Sequence, residues 1–227
     1  MGTLYVIATP IGNLEDITLR ALRVLKEVDF IACEDTRRTG ILLAHYEIKK
    51  PLVSYHQHSQ IQKIEYLIDE LKSGQNIALT TDAGTPGIAD PGGVLIARAL
   101  GNKIEVVAVP GPSSVTTILS IAGIPVDKFL FLGYLPKKKG RQTILKTFQN
   151  FSYPIVIFES PHRIIKTLQE ILNLWGDRQI IIGRELTKKF EEILRGKISQ
   201  VLSKTRVQGE FVIIIQNEQS NATTTES

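Results

Sequence analysis

The first half of the chain alternates short aliphatic runs with segments whose apolar residues recur at helical spacing. The run Leu4-Tyr5-Val6-Ile7-Ala8 is typical of a buried strand, and the segment 15–28 that follows is typical of an amphipathic helix. The same patterns predict strands at 30–33, 52–54, 76–80 and 104–109, and helices from about residue 37, at 61–71 and at 94–100. This alternation favours an α/β fold with a mostly parallel sheet covered on both faces.

A second unit is predicted after the Gly123-Ile124-Pro125 segment. Its predicted strands lie at 129–132, 155–158, 179–183 and 210–215, and its predicted helices at 141–148 and 164–174. We therefore expect two α/β domains, at residues 1–122 and 123–217. The tail 218–227 contains no large apolar residue, and we expect it to be disordered.

Composition narrows the class of protein. With 43% hydrophobic and 22% charged residues, the chain is typical of a globular domain, and its formal net charge of +4 is compatible with a polyanionic partner. The single cysteine, Cys33, excludes an intramolecular disulfide, and the sequence has no CxxC pair for zinc. No apolar stretch approaches the roughly 20 residues that span a bilayer, and no signal-peptide pattern is present. We expect a cytoplasmic protein.

Three Gly- and Pro-rich segments follow predicted strands of the first half, at residues 9–13, 82–93 and 110–114. The carboxyl ends of parallel strands are where open α/β sheets bind ligands, and glycine allows a ligand close to the backbone. The alternative is that these segments are only strand-to-helix turns. Neither GxGxxG after the first strand nor GxxxxGK[ST] is present, which argues against a standard dinucleotide fold or a Walker-type nucleoside triphosphatase.

Charged residues also follow predicted strands in both halves. In the segment 34–39, Asp35 or Thr36 caps the next helix, or the charged residues orient a polar substrate, for which Arg37 or Arg38 suits phosphate. His56 and His58 are expected to contact solvent or substrate rather than a metal, since the neighbouring sequence offers no third ligand.

In the second half, Ser160 and Pro161 are predicted to begin a helix, which leaves Glu159 as a candidate cleft carboxylate. The segment 184–189 is a similar charged strand end or a solvated loop.

The span 128–158 contains no Asp or Glu and carries a basic loop at 136–141 that we expect to be exposed. Basic residues beside aromatic ones, here Tyr134, suit an RNA backbone and unstacked bases. The alternative is a locally biased surface without a partner.

Taken in order, these segments resemble the tetrapyrrole methylase superfamily of S-adenosylmethionine-dependent methyltransferases, and within it a branch that methylates ribosomal RNA of the small subunit. The most distinctive matching segments are ATPIGNLEDIT at 8–18, DAGTPGIADPG at 82–92, VPGPSS at 109–114 and FESPHR at 158–163. Shorter matches lie at 34–37, 55–56, 132–136, 184–188 and 209–212. The resemblance covers roughly residues 3 to 215.

The resemblance implies two α/β domains with the cofactor cleft between them, a homodimer, and 2′-O-methylation of a cytidine in the decoding region of 16S rRNA. It also implies the residues that contact S-adenosylmethionine: Pro10, Ile11, Thr85, Pro86, Ile88, Ala89, Ser113, Ser114, Phe158, Leu186, Gly209 and Glu210. No metal is expected, because the sulfonium is already a strong electrophile.

For such a reaction Asp35 and Glu159 are the candidate bases. Arg37, Arg163 and Lys188 are candidates for binding phosphate or for lowering the pKa of the ribose hydroxyl. The candidate RNA contacts are Arg37, His56, Lys137, Lys138, Lys139, Arg141 and Arg163. Two rival functions stay open: a corrinoid or porphyrin precursor methylase of the same fold, and a non-enzymatic RNA-binding protein.

Overall fold

A computed structural model describes residues 1–55 and 61–216 of the chain. They form two compact units, and the division between the units falls between Ser113 and Ser114. His56, His58 and the tail 218–227 lie outside the described residues. None of the helices in the described ranges has the length and apolar character that crossing a membrane requires.

The first unit is a parallel α/β sheet. Its elements are β1 (Thr3–Ile7), α1 (Leu19–Glu27), β2 (Phe30–Cys33), α2 (Thr36–His45), β3 (Leu52–Ser54), α3 (Ile61–Ser73), β4 (Ile77–Thr80), α4 (Gly92–Gly101) and β5 (Glu105–Val109). The strand order is β3-β2-β4-β1-β5, and every neighbouring pair is parallel. The predicted parallel sheet is therefore confirmed.

Both faces of this sheet are buried. Neighbouring residues of β2 belong to two different core clusters, with Ile31 in one and Ala32 in the other, because side chains alternate across a strand. Helix α1 begins at Leu19 rather than at residue 15, since the Thr18 hydroxyl accepts a hydrogen bond from the Ala21 amide at 3.1 Å and fixes the helix start there. A short 3₁₀ helix, Leu14–Asp16, precedes it.

The second unit is a mixed α/β sheet. Its elements are α5 (Ser114–Ser120), β6 (Leu130–Tyr134), α6 (Arg141–Phe148), β7 (Ile155–Glu159), α7 (Ile164–Trp175), β8 (Gln179–Arg184), β9 (Glu192–Lys197), α8 (Ile198–Leu202) and β10 (Phe211–Ile215). The strand order is β6-β7-β10-β8-β9. Helix α5, which lies within the predicted first domain, packs against β10 of this unit.

Strand direction brings several loops of the second unit to one sheet edge. Strand β6 is parallel to β7, whereas β10 is antiparallel to both β7 and β8. Phe211, at the start of β10, pairs with Glu159 at the end of β7 and with Arg184 at the end of β8. The loops that follow β6, β7 and β8 therefore leave the sheet at the same edge. Strand β9 was not predicted: it is a polar edge strand without a clear apolar alternation.

Candidate functional site

The loops after β1, β4 and β5 are joined to one another at the carboxyl edge of the first sheet. The backbones of Thr9 and Gly84 exchange two N–H···O bonds of 2.9 Å each, and the Thr9 hydroxyl donates to the Thr81 carbonyl at 3.1 Å. The Thr85 hydroxyl donates to the Pro112 carbonyl at 3.2 Å. These contacts confirm the prediction that the three loops converge. Three independent strand-to-helix turns would not need hydrogen bonds to one another.

The loop after β4 is shaped by its own hydrogen bonds. One carboxylate oxygen of Asp90, Oδ1, accepts the amide N–H groups of Gly87 and Gly92, each at 2.7 Å. Gly84 and Ala89 have φ values of +83° and +63°, a region that a residue other than glycine seldom adopts. A non-glycine residue held there points to a conformation fixed by its surroundings.

The structure places the first-unit residues of the expected cofactor site on these loops. Pro10 and Ile11 follow β1, and Ser113 is the last residue of the unit. Thr85, Pro86, Ile88 and Ala89 follow β4. Ile11 is buried, with its Cγ2 3.5 Å from where a Cβ on Gly84 would lie, whereas the Ile88 side chain is 48% exposed. An exposed isoleucine on a rigid loop at a strand end offers apolar surface to a ligand.

Asp35 lies just after β2 and is the N-cap of α2, which is one of the two roles that the sequence predicts for it. Its Oδ1 accepts the Arg37 backbone N–H at 2.8 Å, and its Oδ2 lies 2.7 Å from Arg37 Nη2. Hydrogen bonds from the Arg37 side chain and backbone lower the pKa of Asp35 from 3.8 to about 2. The carboxylate is thus a fixed anion.

Asp82 joins the Asp35 segment to the loop after β4. Its Oδ1 accepts the Asp35 backbone N–H at 3.0 Å, and its Oδ2 lies 3.6 Å from Arg38 Nε. The sequence analysis assigns Asp82 no role, although an acidic residue so close after a strand is a signal of a site residue. The edge of the first sheet therefore carries an acid–arginine cluster beside the three loops.

Glu159 does not occupy an open cleft in its unit. It is 1% exposed, and its Oε1 accepts the Ser160 N–H and Arg163 Nε at 2.7 Å each. Its Oε2 accepts the Thr167 hydroxyl at 2.6 Å. A carboxylate with its oxygens engaged in this way is the centre of a buried network, which corrects its assignment as a candidate base.

Arg141 and Arg163 belong to the same network; Arg141 is buried in it, which corrects its assignment as an RNA contact, whereas Arg163 stays partly exposed and remains a predicted RNA contact. Arg141 is 5% exposed, and it donates from Nε to Glu170 at 2.7 Å and from Nη2 to Thr167 at 2.8 Å. Arg163 donates from Nη1 to the Leu135 carbonyl at 2.9 Å. Arg163 thus links the end of β7 to the residue that follows β6, and Arg141 links the start of α6 to α7. Helix α7 begins at Ile164 after a turn, so Ser160 does not cap it as predicted.

Lys137, Lys138 and Lys139, by contrast, are exposed as predicted. They lie between β6 and α6, and the network just described supports the residues on either side of them. The Arg141 Nη1 group donates to the Pro136 carbonyl at 3.3 Å, at the start of this basic loop. The three lysines therefore lie on an exposed turn whose first residue is bonded to the buried Arg141.

Lys188 lies between two carboxylates at the end of β8. Its Nζ is 3.0 Å from Glu185 Oε1 and 2.9 Å from Glu210 Oε2. Burial alone would lower the pKa of Lys188, but the hydrogen bonds to Glu210 and Glu185 raise it on balance. Burial would likewise raise the pKa of Glu185, whereas Lys188 and the Glu210 backbone N–H lower it on balance. Lys188 is thus held as a cation.

Gly209 and Glu210 pack closely against Glu185. A Cβ on Gly209 would lie 2.6 Å from Glu185 Cγ, and Gly209 has a φ of +92°. Nearby, Leu186 is buried, and Phe158 packs between the rings of Phe131 and Tyr134, with centroid separations of 5.0 and 5.4 Å. These expected cofactor residues therefore share one edge of the second sheet.

Ser114 and His56 are the two remaining site residues that the sequence predicts. Ser114 is the first residue of α5, at the start of the second unit. His56 lies outside the described residues. Within residues 1–55 and 61–216, no group of three or more His, Cys, Asp or Glu side chains is placed to hold a metal ion.

Comparison with known proteins places this geometry in a family. Residues 3–202 match the family described as Tetrapyrrole (Corrin/Porphyrin) Methylases. A Thermotoga maritima protein named Ribosomal RNA small subunit methyltransferase I is 45% identical over 96% of this chain and 100% of its own length. An Escherichia coli O157:H7 protein of the same name is 44% identical over 96% of this chain and 79% of its own length.

Solved structures show the same fold at low identity. A diphthine synthase superposes with a TM-score of 0.75 at 13% identity, covering 95% of this chain and 90% of that one. A uroporphyrin-III C-methyltransferase from Thermus thermophilus, complexed with S-adenosylhomocysteine, gives 0.68 at 19% identity, covering 95% and 98%. The chain therefore belongs to the tetrapyrrole methylase family and, within it, to the branch named ribosomal RNA small subunit methyltransferase I.

Proposed function

We propose that this chain transfers a methyl group from S-adenosylmethionine to the 2′-oxygen of a cytidine in the decoding region of 16S rRNA, in the small ribosomal subunit. The observation that carries the proposal is the 45% identity, over 96% of the chain, to a full-length relative named for methylation of small-subunit rRNA. A corrinoid or porphyrin methylase is not favoured, because the uroporphyrin enzyme is only 19% identical.

The residues of the strand-end loops fit S-adenosylmethionine. The first unit offers backbone and small side chains with the exposed Ile88, at an edge where α/β sheets bind nucleotides. In the second unit, the Thr187 hydroxyl is buried and lacks a hydrogen-bond partner among the described residues. It lies next to Leu186, and a bound cofactor would supply the missing partner.

We assign the cofactor to residues of both units. The first unit would contribute Pro10, Ile11, Thr85, Pro86, Ile88, Ala89 and Ser113. The second would contribute Ser114, Phe158, Leu186, Gly209 and Glu210. When bound, S-adenosylmethionine supplies a methyl group on a sulfonium, an electrophile that needs only alignment with the ribose oxygen and removal of the hydroxyl proton.

Lys188 and Asp35 are the charged residues that suit the ribose. The Lys188 ammonium is fixed by Glu185 and Glu210, and a fixed cation lowers the pKa of a neighbouring hydroxyl by stabilising its anion. Asp35 is partly accessible, but a carboxylate with a pKa of about 2 is a weak proton acceptor at neutral pH. We therefore give Asp35 the role of holding Arg37 toward the RNA, with proton acceptance as its second candidate role.

The remaining assignments concern partners and compartment. Lys137, Lys138 and Lys139 are proposed to contact phosphates, His56 to contact the RNA, and the active form to be a homodimer in the cytoplasm. The single buried cysteine agrees with a reducing compartment.

The test of the function is methyl transfer from labelled S-adenosylmethionine to small ribosomal subunits that lack the modification. The product is mapped by the resistance of a 2′-O-methylated ribose to alkaline cleavage. One protected cytidine in the decoding region supports the proposal. A methylated base, or no incorporation into subunits that a known enzyme does methylate, rejects it.

The role of Lys188 is tested with Lys188→Met and Lys188→Arg. Loss of one stabilising cation reduces turnover by roughly 10²–10³-fold, and the arginine variant retains part of it. Lys166→Met is the matched control, because Lys166 is an exposed lysine on α7 whose nearest carboxylate partner is 4.0 Å away. Equal turnover in Lys188→Met and the control would exclude the role.

A further inference from the structure

Phe190 is a solvent-exposed aromatic side chain of the second unit. It is 67% exposed, in the segment between β8 and β9. A phenylalanine gains roughly 1.5–3 kcal/mol from burial, so an exposed one is a site at which a partner can gain affinity. It lies two residues from Lys188 and four from Leu186, to which the proposed function gives roles.

Hydrogen bonds within the segment that carries Phe190 fix its turn conformation. The Lys188 N–H donates to the Glu185 carbonyl and the Glu191 N–H to the Lys188 carbonyl, each at 3.0 Å. The Thr187 N–H donates to Glu191 Oε2 at 2.5 Å. Glu185 and Thr187 have φ values of +52° and +63°. A turn tied at this many points presents Phe190 without the ordering cost that a loose loop would incur on binding.

Charged side chains of both signs lie next to Phe190 in the sequence. Glu191 accepts the Thr187 N–H and Glu192 pairs with Arg184, so these two carboxylates are already engaged within the unit. Lys189 Nζ lies 5.7 Å from the centre of the Phe190 ring. Strand direction places this turn at the same sheet edge as the loop that carries Lys137, Lys138 and Lys139. An aromatic ring beside a lysine suits a base and a neighbouring phosphate, whereas the core of a protein interface is depleted of charge. The surroundings therefore favour single-stranded RNA over a protein partner.

We propose that Phe190 stacks on an unpaired base of the RNA substrate and that Lys189 contacts a neighbouring phosphate. This inference rests on the proposed function and deepens it, because it names a residue that recognises the RNA next to the reacting nucleotide. Stacking does not read the base by hydrogen bonds, so Phe190 contributes affinity and placement rather than sequence preference.

The experiment compares Phe190→Ala, Phe190→Leu and Phe190→Trp with the control Tyr153→Ala. Tyr153 is also an exposed aromatic with a lysine near its ring, Lys128 at 5.4 Å. It precedes the start of β7 and so lies at the opposite edge of the sheet. The measurements are the Kd for unmodified small ribosomal subunits, the Kd for S-adenosylmethionine by calorimetry, and the sedimentation coefficient.

We expect Phe190→Ala and Phe190→Leu to weaken binding to the subunits by roughly 5- to 100-fold, with unchanged affinity for S-adenosylmethionine. Phe190→Trp and Tyr153→Ala should bind the subunits like the wild type. Because the only tryptophan of the chain, Trp175, is buried, a tryptophan at 190 also reports contact with RNA through quenching of its fluorescence.

Three results would overturn the inference. The first is normal subunit binding by Phe190→Ala, and the second is normal binding by Phe190→Leu, which would mean that an apolar contact suffices. The third is a changed sedimentation coefficient in Phe190→Ala, which would assign the ring to a protein interface. Failure of the wild type to bind or methylate the subunits is a separate result, because it rejects the proposed function itself.

Discussion

The strand-end loops of the first unit and those of the second are stabilised by different forces. In the first unit the bonds that join the loops after β1, β4 and β5 to one another are neutral, such as the two backbone bonds between Thr9 and Gly84 and the hydroxyl of Thr85 on a carbonyl. In the second unit they are ionic, with Glu159 at the centre of one network and Lys188 at the centre of another. Substituting one side chain at a neutral contact removes little stability. Substituting one member of a buried ionic network removes more, because its partners stay buried without their hydrogen bonds.

The largest expected effect is at Glu159. Glu159→Ala leaves the guanidinium of Arg163 and the hydroxyl of Thr167 without their buried partner, so we expect the free energy of unfolding to fall by about 3–5 kcal/mol. Urea denaturation measures it. Glu27→Ala is the control, because Glu27 forms an exposed ion pair with Arg23 at 2.8 Å that contributes at most about 1 kcal/mol. Similar losses in the two variants would refute the buried-network account.

In the first unit the corresponding weak point is the backbone at Gly84. Gly84→Ala must keep a φ of +83°, and we expect it to cost roughly 1–2 kcal/mol of stability and to weaken S-adenosylmethionine binding. Gly93→Ala is the matched control, because no atom lies within 4 Å of its added Cβ and its φ is not positive. Thermal unfolding and calorimetry measure the two effects. An unchanged Gly84→Ala protein would mean that the loop does not need this conformation.

The sequence predicted the first site better than the second for a physical reason. Parallel strands deliver their following loops to one edge, so the strand pattern alone predicts that Thr9, Gly84 and Pro112 lie together. Burial of a charge depends instead on distant partners. Arg141 reads as part of an exposed basic run, yet its partners Thr167 and Glu170 lie 26 and 29 residues further along the chain. Nothing local separates it from Lys139.

Asp35 combines the two kinds of stabilisation, since it is a partly exposed helix cap with a charged partner. Its pKa is lowered from 3.8 to about 2, chiefly by the hydrogen bonds from Arg37. A carboxylate with a lowered pKa stabilises the fold above its unfolded pKa, and this contribution is lost as the pH falls through the folded value. We expect Asp35→Ala to be less stable than the wild type at neutral pH, with the difference disappearing between about pH 4 and pH 2.

Urea midpoints of both proteins across that range measure the difference, with Asp69→Ala as an exposed carboxylate that caps no helix. A difference that persists at pH 2 would contradict the assigned pKa. In the methylation assay we expect Asp35→Ala to lower turnover while affinity for S-adenosylmethionine stays nearly intact. Wild-type turnover would remove Asp35 from the reaction.

The smallest effect on stability is expected for the exposed lysines of the second unit. Replacing Lys137, Lys138 and Lys139 together by alanine should leave the free energy of unfolding within about 0.5 kcal/mol, because each side chain lies in water. Binding to small ribosomal subunits should weaken at every salt concentration. Each lost phosphate contact should also reduce the slope of log K against log salt by about 0.7–0.9.

This triple variant sharpens the contrast with Arg141, a neighbour in sequence that is buried. Arg141→Ala should lower stability, because it removes the buried donor to the Glu170 carboxylate and to the Thr167 hydroxyl. The triple variant should lower only RNA affinity and its salt slope. Titrations at several salt concentrations separate the two, and an unchanged slope in the triple variant would show that the loop contacts no phosphate. The basic run would then contribute to the fold through Arg141 alone.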